Sequence, residues 1–538
     1  MRKKIFIAFL LVFTLCFGFA GCGGGPVEND AKFFRIGTSA DIDSLNPMVS
    51  YMQMGFEIFM LVYDPLVRYD ENYDPTPSLA ESWSVSDDQL TWTFKLREDV
   101  LWHDGEPFTS ADVKYTYDLI LESGLGYMYG SYMTGITEIE CPDDATVIMS
   151  TDSPKANMLM NTTPILPKHI WEAIPVEEIE TYVNEEMVGT GPFRFDSSAD
   201  GVLKLVKNDS YFEETAKVDS YVFVSYDNGN TLTQALMLGE LDGAISLNSA
   251  QKTQLEEDGN ITVIAASVPG FTQIGVNCWD DPASEGHPAL KDKTVRQAID
   301  CAIDKQKIID MAYGGIGEVG TTLINKGDFF HYEPAEEARG YDVEKGNFLL
   351  DAAGYADIDG DGMRENKAGE KMQFRLITIG DNTEEVKAGQ MIASDCQKIG
   401  IDIKTETMDD GALYDNVIAG SYDMFIWGWG ADVDPTGILE LLTTAQIGGN
   451  NEPFFSNERY DELFYEQQTT MDEGDRQAIV FELQKIAYVE SPYIILVYDK
   501  DIQAVRSDRW TGFKQIPKDG GYFYNLTFDN YMNMTPVE

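Results

Sequence analysis

Histidine and positive charge are scarce in this chain. Its 538 residues hold 4 histidines and 39 lysines and arginines against 91 aspartates and glutamates, a formal charge of −52. The histidines, His103, His169, His287 and His331, form no pair at metal-ligand spacing, and HExxH is absent. There is no GxSxG elbow and no GxxxxGK[ST] phosphate loop. Nucleic-acid binding is excluded, because neutralising phosphates takes basic surface. The acidic residues are dispersed and form no block. They read as a solvated, self-repelling surface, with a bias toward cationic ligands as the functional alternative. Cysteine is sparse too, at 6, in spacings that match no zinc pattern. Beyond the N-terminus no apolar run is long enough to span a bilayer. His103 beside Asp104 reads as a turn residue at a strand end. Paired carboxylates are so common here that they do not single out a glycosidase, and a secreted two-carboxylate hydrolase stays only as the alternative of another class.

What is present begins at the N-terminus. Arg2, Lys3 and Lys4 precede the apolar run Ile5 to Phe19, then Ala20, Gly21 and Cys22. A basic segment, a short apolar core and small residues make a secretion signal over residues 1–21. Cys22 after the small pair resembles a bacterial lipobox, in which the thiol is lipidated and becomes the mature N-terminus. Phe19 departs from the aliphatic residue usual in that pattern. An ordinary signal peptide that happens to hold a cysteine is the plainer alternative. Loss of residues 1–21 removes three positive charges, taking the formal charge from −52 to −55. Residues 22–32, small and polar with Pro26, then form a flexible linker between lipid and fold. Several acyl chains, at roughly 0.8 kcal/mol per buried CH₂, would anchor it stably. The working protein therefore lies outside the cytoplasm, in the periplasm or at the cell surface. Of the remaining cysteines, Cys141, Cys278, Cys301 and Cys396 read as buried thiols.

At this length the chain divides into two or three domains. Leu90, Trp92, Phe94 and Leu96 alternate with polar residues, a strand with one buried face. Thr109 with Asp112 makes a capping box for a helix through Leu121. A second strand region covers Phe193 to Val206. From Lys293 the pattern turns helical, with Val295, Ile299, Ala302 and Ile303 on one face and Gly314-Gly315 as a stop. A helix from Thr383 to Ile399 ends at Gly400, strands follow at Ile401–Thr405 and Tyr422–Trp429, and a helix at Arg476–Val489 leads into a strand at Tyr493–Tyr498. This alternation predicts an α/β lobe with parallel pairing. Asp357, Asp359 and Asp361, followed by Gly362, have oxygen ligands at the spacing of a calcium loop. The twelfth position, however, is Ala368 where a bidentate glutamate belongs. The main reading is a metal-free turn and no cofactor, with structural calcium as the alternative.

Several blocks recur in a fixed order: Leu45-Asn46-Pro47, Tyr63 to Val67, Leu79 to Trp83, Trp92 to Arg97, Trp102 to Val113, Gly189 to Phe193, Val295 to Ile299, and Ala352 to Tyr355. Their order and spacing resemble the extracellular solute-binding proteins of peptide and nickel ABC importers, family 5. The resemblance implies an α/β, two-lobed periplasmic-binding-protein-like fold of the large class II type, hinged over a ligand cleft. The first lobe, 33–279, would include an extra subdomain at about 70–190. The second would cover 280–496, with 497–538 returning to the first. The crossings should fall near Gly275–Cys278 and Val497–Lys500. It implies no catalysis, a monomer, an ABC permease as partner, and a lipid anchor that keeps the binder near it.

The segment Phe425 to Pro435 is the leading site. As a strand it puts Phe425, Trp427 and Trp429 on one face, while Gly428 and Gly430 clear the other. Asp432 follows the strand end, where open α/β sheets bind ligands. In peptide-binding relatives the aspartate of this Trp-x-x-Asp pattern pairs with the ligand's α-ammonium, so the resemblance gives that role to Asp432. Dipeptide binders also present an arginine from the loop that here reads Gly380-Asp381-Asn382-Thr383-Glu384-Glu385, which has no cation. Oligopeptides are therefore expected over strict dipeptides, with an oligosaccharide stacked on Trp427 and Trp429 as the alternative. Tyr51 and Met52 should line the opposite wall, being adaptable in contact, with Asn248 as a further contact. No histidine falls in these segments, so nickel is not expected.

Overall fold

In a computed structural model the described residues are 32–39, 42–126, 129–335, 338–430, 434–517, 520–524 and 527–537. The leader, Cys22 and Asp432 lie outside them. Two large sheets organise the chain. The first has seven strands in the order Ile261–Ser267, Lys500–Arg506, Gly243–Leu247, Phe33–Thr38, Ser220–Ser225, Val202–Lys207 and Phe193–Ala199. The second has six: Glu318–Val319, Tyr493–Tyr498, Gly270–Val276, Met424–Gly430, Gln373–Ile379 and Asp402–Met408.

A four-stranded antiparallel sheet is set into the first lobe, with strands Ala80–Val85, Thr91–Leu96, Thr146–Thr151 and Ile136–Asp143. The alternation in Thr91–Leu96 is realised: Trp92, Phe94 and Leu96 are buried, each side chain contributing roughly 1.5–3 kcal/mol. The helix Ser110–Ser123 packs beside it and opens on the capping box, with Thr109 N donating to Asp112 Oδ2 at 2.8 Å. The tail rejoins this lobe. Trp510 Nε1 donates to Asp242 Oδ1 at 2.9 Å, and the Tyr221 hydroxyl donates to Tyr531 O at 2.7 Å.

The second lobe packs helices on its sheet as its helix–strand alternation demands. The helix Thr383–Cys396 buries Ala388, Ile392 and Cys396, then tightens to a 3₁₀ turn that ends at Gly400 in the left-handed region, φ +75°. Parallel pairing joins Gln373–Ile379 to Asp402–Met408 and to Met424–Gly430. Gly270–Val276, in contrast, is antiparallel to both its neighbours. It enters straight from the first lobe, with no crossover helix to set a parallel direction.

That strand moves the first hinge. The crossing lies at Val268 and Pro269, ahead of the expected Gly275–Cys278, because Gly270–Val276 already belongs to the second sheet. The return crossing is Asp499, between Tyr493–Tyr498 and Lys500–Arg506. The two run side by side. Ser267 pairs with Lys500 on one side and Thr272 with Val497 on the other, and Val268 N donates to Asp499 O at 3.2 Å between them.

The lobes also touch away from the hinge. Ala156 N donates to Gln468 O at 2.9 Å, and Met471 packs on the first lobe's core. Cys141, Cys278, Cys301 and Cys396 are free thiols, the last two buried. Among the described residues no helix is long and apolar enough to cross a membrane.

The Gly189–Phe193 block has a steric reason. Gly191 N donates to Val62 O at 2.9 Å, and a Cβ on Gly191 would lie 2.6 Å from Leu61 O. Backbone atoms cannot yield cheaply, so Gly191→Ala should destabilise the first lobe by roughly 1–3 kcal/mol. Urea denaturation measures this; an unchanged midpoint would show that the close approach is not needed.

Candidate functional site

The second sheet presents one edge to the first lobe. The ends of Gln373–Ile379, Met424–Gly430 and Tyr493–Tyr498 lie there, with the start of Gly270–Val276. Side chains at this edge fall on two faces.

On one face stand the tryptophans. Trp427 packs edge-on against Phe425, ring centroids 4.8 Å apart, and Trp429 lies 6.5 Å from Trp427. Both are half-buried. Their N–H groups point into the protein. Trp429 Nε1 donates to Glu452 Oε1 at 3.0 Å. The buried Gln273 amide, in the orientation that satisfies both groups, donates to Trp427 O at 2.8 Å and accepts from Trp427 Nε1 at 3.2 Å. Glu452 also accepts from the Tyr493 hydroxyl, and burial pushes its carboxyl up to about 7. The indoles are thus fixed from behind, which leaves only ring surface for a ligand.

On the other face the glycines open space. Gly428 pairs with Thr272, and a Cβ on Gly428 would meet Phe271 O at 3.2 Å and Thr272 Oγ1 at 3.6 Å. The Thr272 hydroxyl donates to Asp499 Oδ2 at 2.9 Å. Glu385, from the first turn of the helix Thr383–Cys396, approaches the same edge. It is buried, and its Oε2 has no hydrogen-bond partner. Burial, then the negative charges of Asp499, Asp410 and Glu384, push its carboxyl up to about 7. Burial likewise lifts Asp499 to about 6.

The model for "Bacterial extracellular solute-binding proteins, family 5 Middle" matches residues 74–450. The chain belongs to this family. A family 5 relative, the oligopeptide-binding protein AppA of Bacillus subtilis, is 26% identical over 539 residues, covering 96% of this chain and 97% of AppA. The structure of that AppA in complex with a nonapeptide superimposes with a TM-score of 0.75 at 24% identity, covering 94% of this chain and 100% of AppA's. The substrate-binding protein CtaP of Listeria monocytogenes gives a TM-score of 0.80 at 23% identity, covering 95% and 100%. The two-lobed α/β solute-binding fold is therefore established for this chain.

The remaining sequence-derived residues occupy varied places in this family 5 frame. Tyr51 and Met52 are exposed, at 63% and 40%, and Asp43 Oδ2 accepts from their backbone N–H groups at 2.8 and 3.4 Å. Asn248 caps the helix Ser249–Glu256. Its Oδ1 accepts from Gln251 N at 3.0 Å, so that oxygen is already engaged. The helix start still borders the second lobe, since a Cβ on Gly314 would sit 2.4 Å from Ser249 Oγ. Asp432 falls in 431–433, outside the described residues; beyond it Asp434 is buried and paired with Arg476 at 2.8 Å. The loop Gly380–Glu385 spends Asn382 on capping, Oδ1 accepting from Glu385 N at 3.1 Å.

Asp357, Asp359 and Asp361 do come together, oxygens within 4.8 Å of one another. Lys371 offsets part of their charge, 3.1 Å from Asp359 Oδ2 and also paired with Asp361. Gly360 N and Gly362 N donate to Asp357 at 2.7 and 2.9 Å.

Sequence reasoning missed Glu385 and Asp499. Their signal was the acidic run after Ile379 and an aspartate directly between two strands.

The elevated carboxyl of Glu385 has a pH consequence. Its folded value near 7 lies above the ordinary 4.5. Its contribution to stability is intact below about pH 4.5 and is lost as pH rises through about 7. Glu385→Gln should therefore leave stability at pH 4 unchanged and raise it at pH 8 by on the order of 2–3 kcal/mol. Denaturation at both pH values decides; a destabilised variant at pH 8 contradicts the buried charge.

Proposed function

We propose that this protein captures oligopeptides outside the cell between its two lobes and delivers them to an ABC permease, without catalysis. The observation that carries this reading is the likeness to an oligopeptide-binding protein over nearly the whole of both chains. The fixed indole surface at the cleft edge fits it, because stacking faces accept varied side chains. So does the loop Gly380–Glu385, whose lack of a cation leaves nothing there to hold a dipeptide carboxylate. In this reading Asp432 pairs with the ligand's α-ammonium, and Trp427, Trp429, Tyr51 and Met52 line the cleft. Cys22 carries the lipid that tethers a monomer outside the membrane, and no cofactor takes part.

A thermal-shift screen with peptides, cello- and xylo-oligosaccharides and nickel tests the reading. Peptides should stabilise the protein and emerge unchanged in mass spectra. Stabilisation by sugars alone, or turnover of any ligand, contradicts it. Asp432→Ala should weaken peptide binding by more than about 2 kcal/mol by removing one side of a desolvated charge pair; equal affinity would take Asp432 out of the site.

A further inference from the structure

At the end of the second sheet, Glu385 and Asp499 have no cation paired with them among the described residues. Glu385 is 6% exposed and its Oε2 lacks a partner. The charges acting on it come from Asp499, Asp410 and Glu384, all negative. Asp499 is held only by the Thr272 hydroxyl. Tyr313 stands beside both, its buried hydroxyl next to that of Thr272. The lysines next to these acids in the chain are used elsewhere: Lys387 Nζ donates to Met311 O at 3.1 Å, and Lys500 Nζ pairs with Glu318 Oε1 at 2.8 Å.

Glu385 keeps a backbone hydrogen bond from Ile379, but a buried carboxylate with one oxygen unpartnered and no cation beside it is costly unless something else supplies one. Structural acids elsewhere in this chain do have partners. Asp300 is clasped by Lys305 and Arg339 at 2.8 and 2.7 Å, and Asp434 by Arg476. The Glu385 cluster also lies beside the hinge. Asp499 is the hinge residue itself, Gly428 clears the adjoining strand, and the turn after Tyr313 abuts Ser249 of the first lobe. The carboxylates do not converge on a metal. Among the described residues the group of three or more that does so is Asp357, Asp359 and Asp361. A wider acidic lining with hydroxyl groups suits an organic cation, whose charge is spread over several N–H donors.

We propose that Glu385 and Asp499, with Thr272 and Tyr313, form a pocket at the hinge that binds a positively charged group of the ligand. This rests on the peptide reading, in which that group is a lysine or arginine side chain, the α-ammonium being the partner of Asp432. The pocket makes the protein select basic peptides, and ligand binding supplies the missing counter-charge only when the lobes meet.

Isothermal titration of the exported chain with alanine pentapeptides tests it. Each peptide carries lysine, norleucine or glutamate at one position in turn, with a free or an acetylated N-terminus. Wild type should prefer lysine to norleucine at one position by tenfold or more, with free and acetylated termini alike. Glu385→Gln should reduce that preference to less than threefold while norleucine peptides keep their affinity. Asp499→Asn should act in the same direction, and Glu385→Gln should melt no lower than wild type at pH 8. Loss of the lysine preference identifies the side-chain pocket, whereas loss of a terminus preference alone would place the α-ammonium there and overturn it. If both variants retain every preference, or wild type shows none, the pocket is overturned and peptide binding stands. If no peptide binds at all, the peptide reading falls and this inference with it.

Discussion

Everything in this molecule hangs on a narrow antiparallel ladder shared by two sheets. Ile261–Ser267 and Lys500–Arg506 pair in the first lobe, and Gly270–Val276 and Tyr493–Tyr498 pair in the second. Between them the chain crosses twice, side by side, through Val268-Pro269 and Asp499. Each lobe has its own core. What the ladder leaves free is their mutual angle, changed through a few dihedrals at the crossings. A ligand that touches both lobes can therefore shift the population toward closure by its differential contacts.

In the proposed reading the same ladder decides what surrounds the ligand. It brings the ends of three strands of the second sheet to the cleft, and alternation along Met424–Gly430 splits them into an aromatic face and a glycine face. The aromatic face is anchored from behind by Gln273 and Glu452, so its rings are preorganised. The glycine face adjoins Glu385, Asp499 and Tyr313. The two faces have different chemistry: one is apolar and tolerant, the other acidic and selective. The overall negative charge works in the same direction at long range, drawing cationic ligands toward the molecule.

Much of the frame was legible in the sequence wherever local rules act alone. Thr109 and Asp112 form their capping box, Gly400 ends its helix, and Tyr493–Tyr498 is buried along its whole length, as its apolar run implies. The hinge was not. Gly270–Val276 reads GFTQIGV, without clean alternation, because Thr272 and Gln273 are buried polar residues whose partners lie far along the chain. Asn248 shows another limit: an asparagine after a strand can cap a helix or touch a ligand, and sequence does not separate the two. Glu385 was visible only as one more acid in an acidic loop. Its burial, and so its chemistry, comes from tertiary packing.

Small-angle X-ray scattering with and without peptide tests the central claim most directly. If two lobes close about the paired crossings, saturating a peptide-free sample with an oligopeptide lowers the radius of gyration at constant molecular mass. A radius that stays the same while calorimetry shows the peptide bound would contradict closure about this hinge.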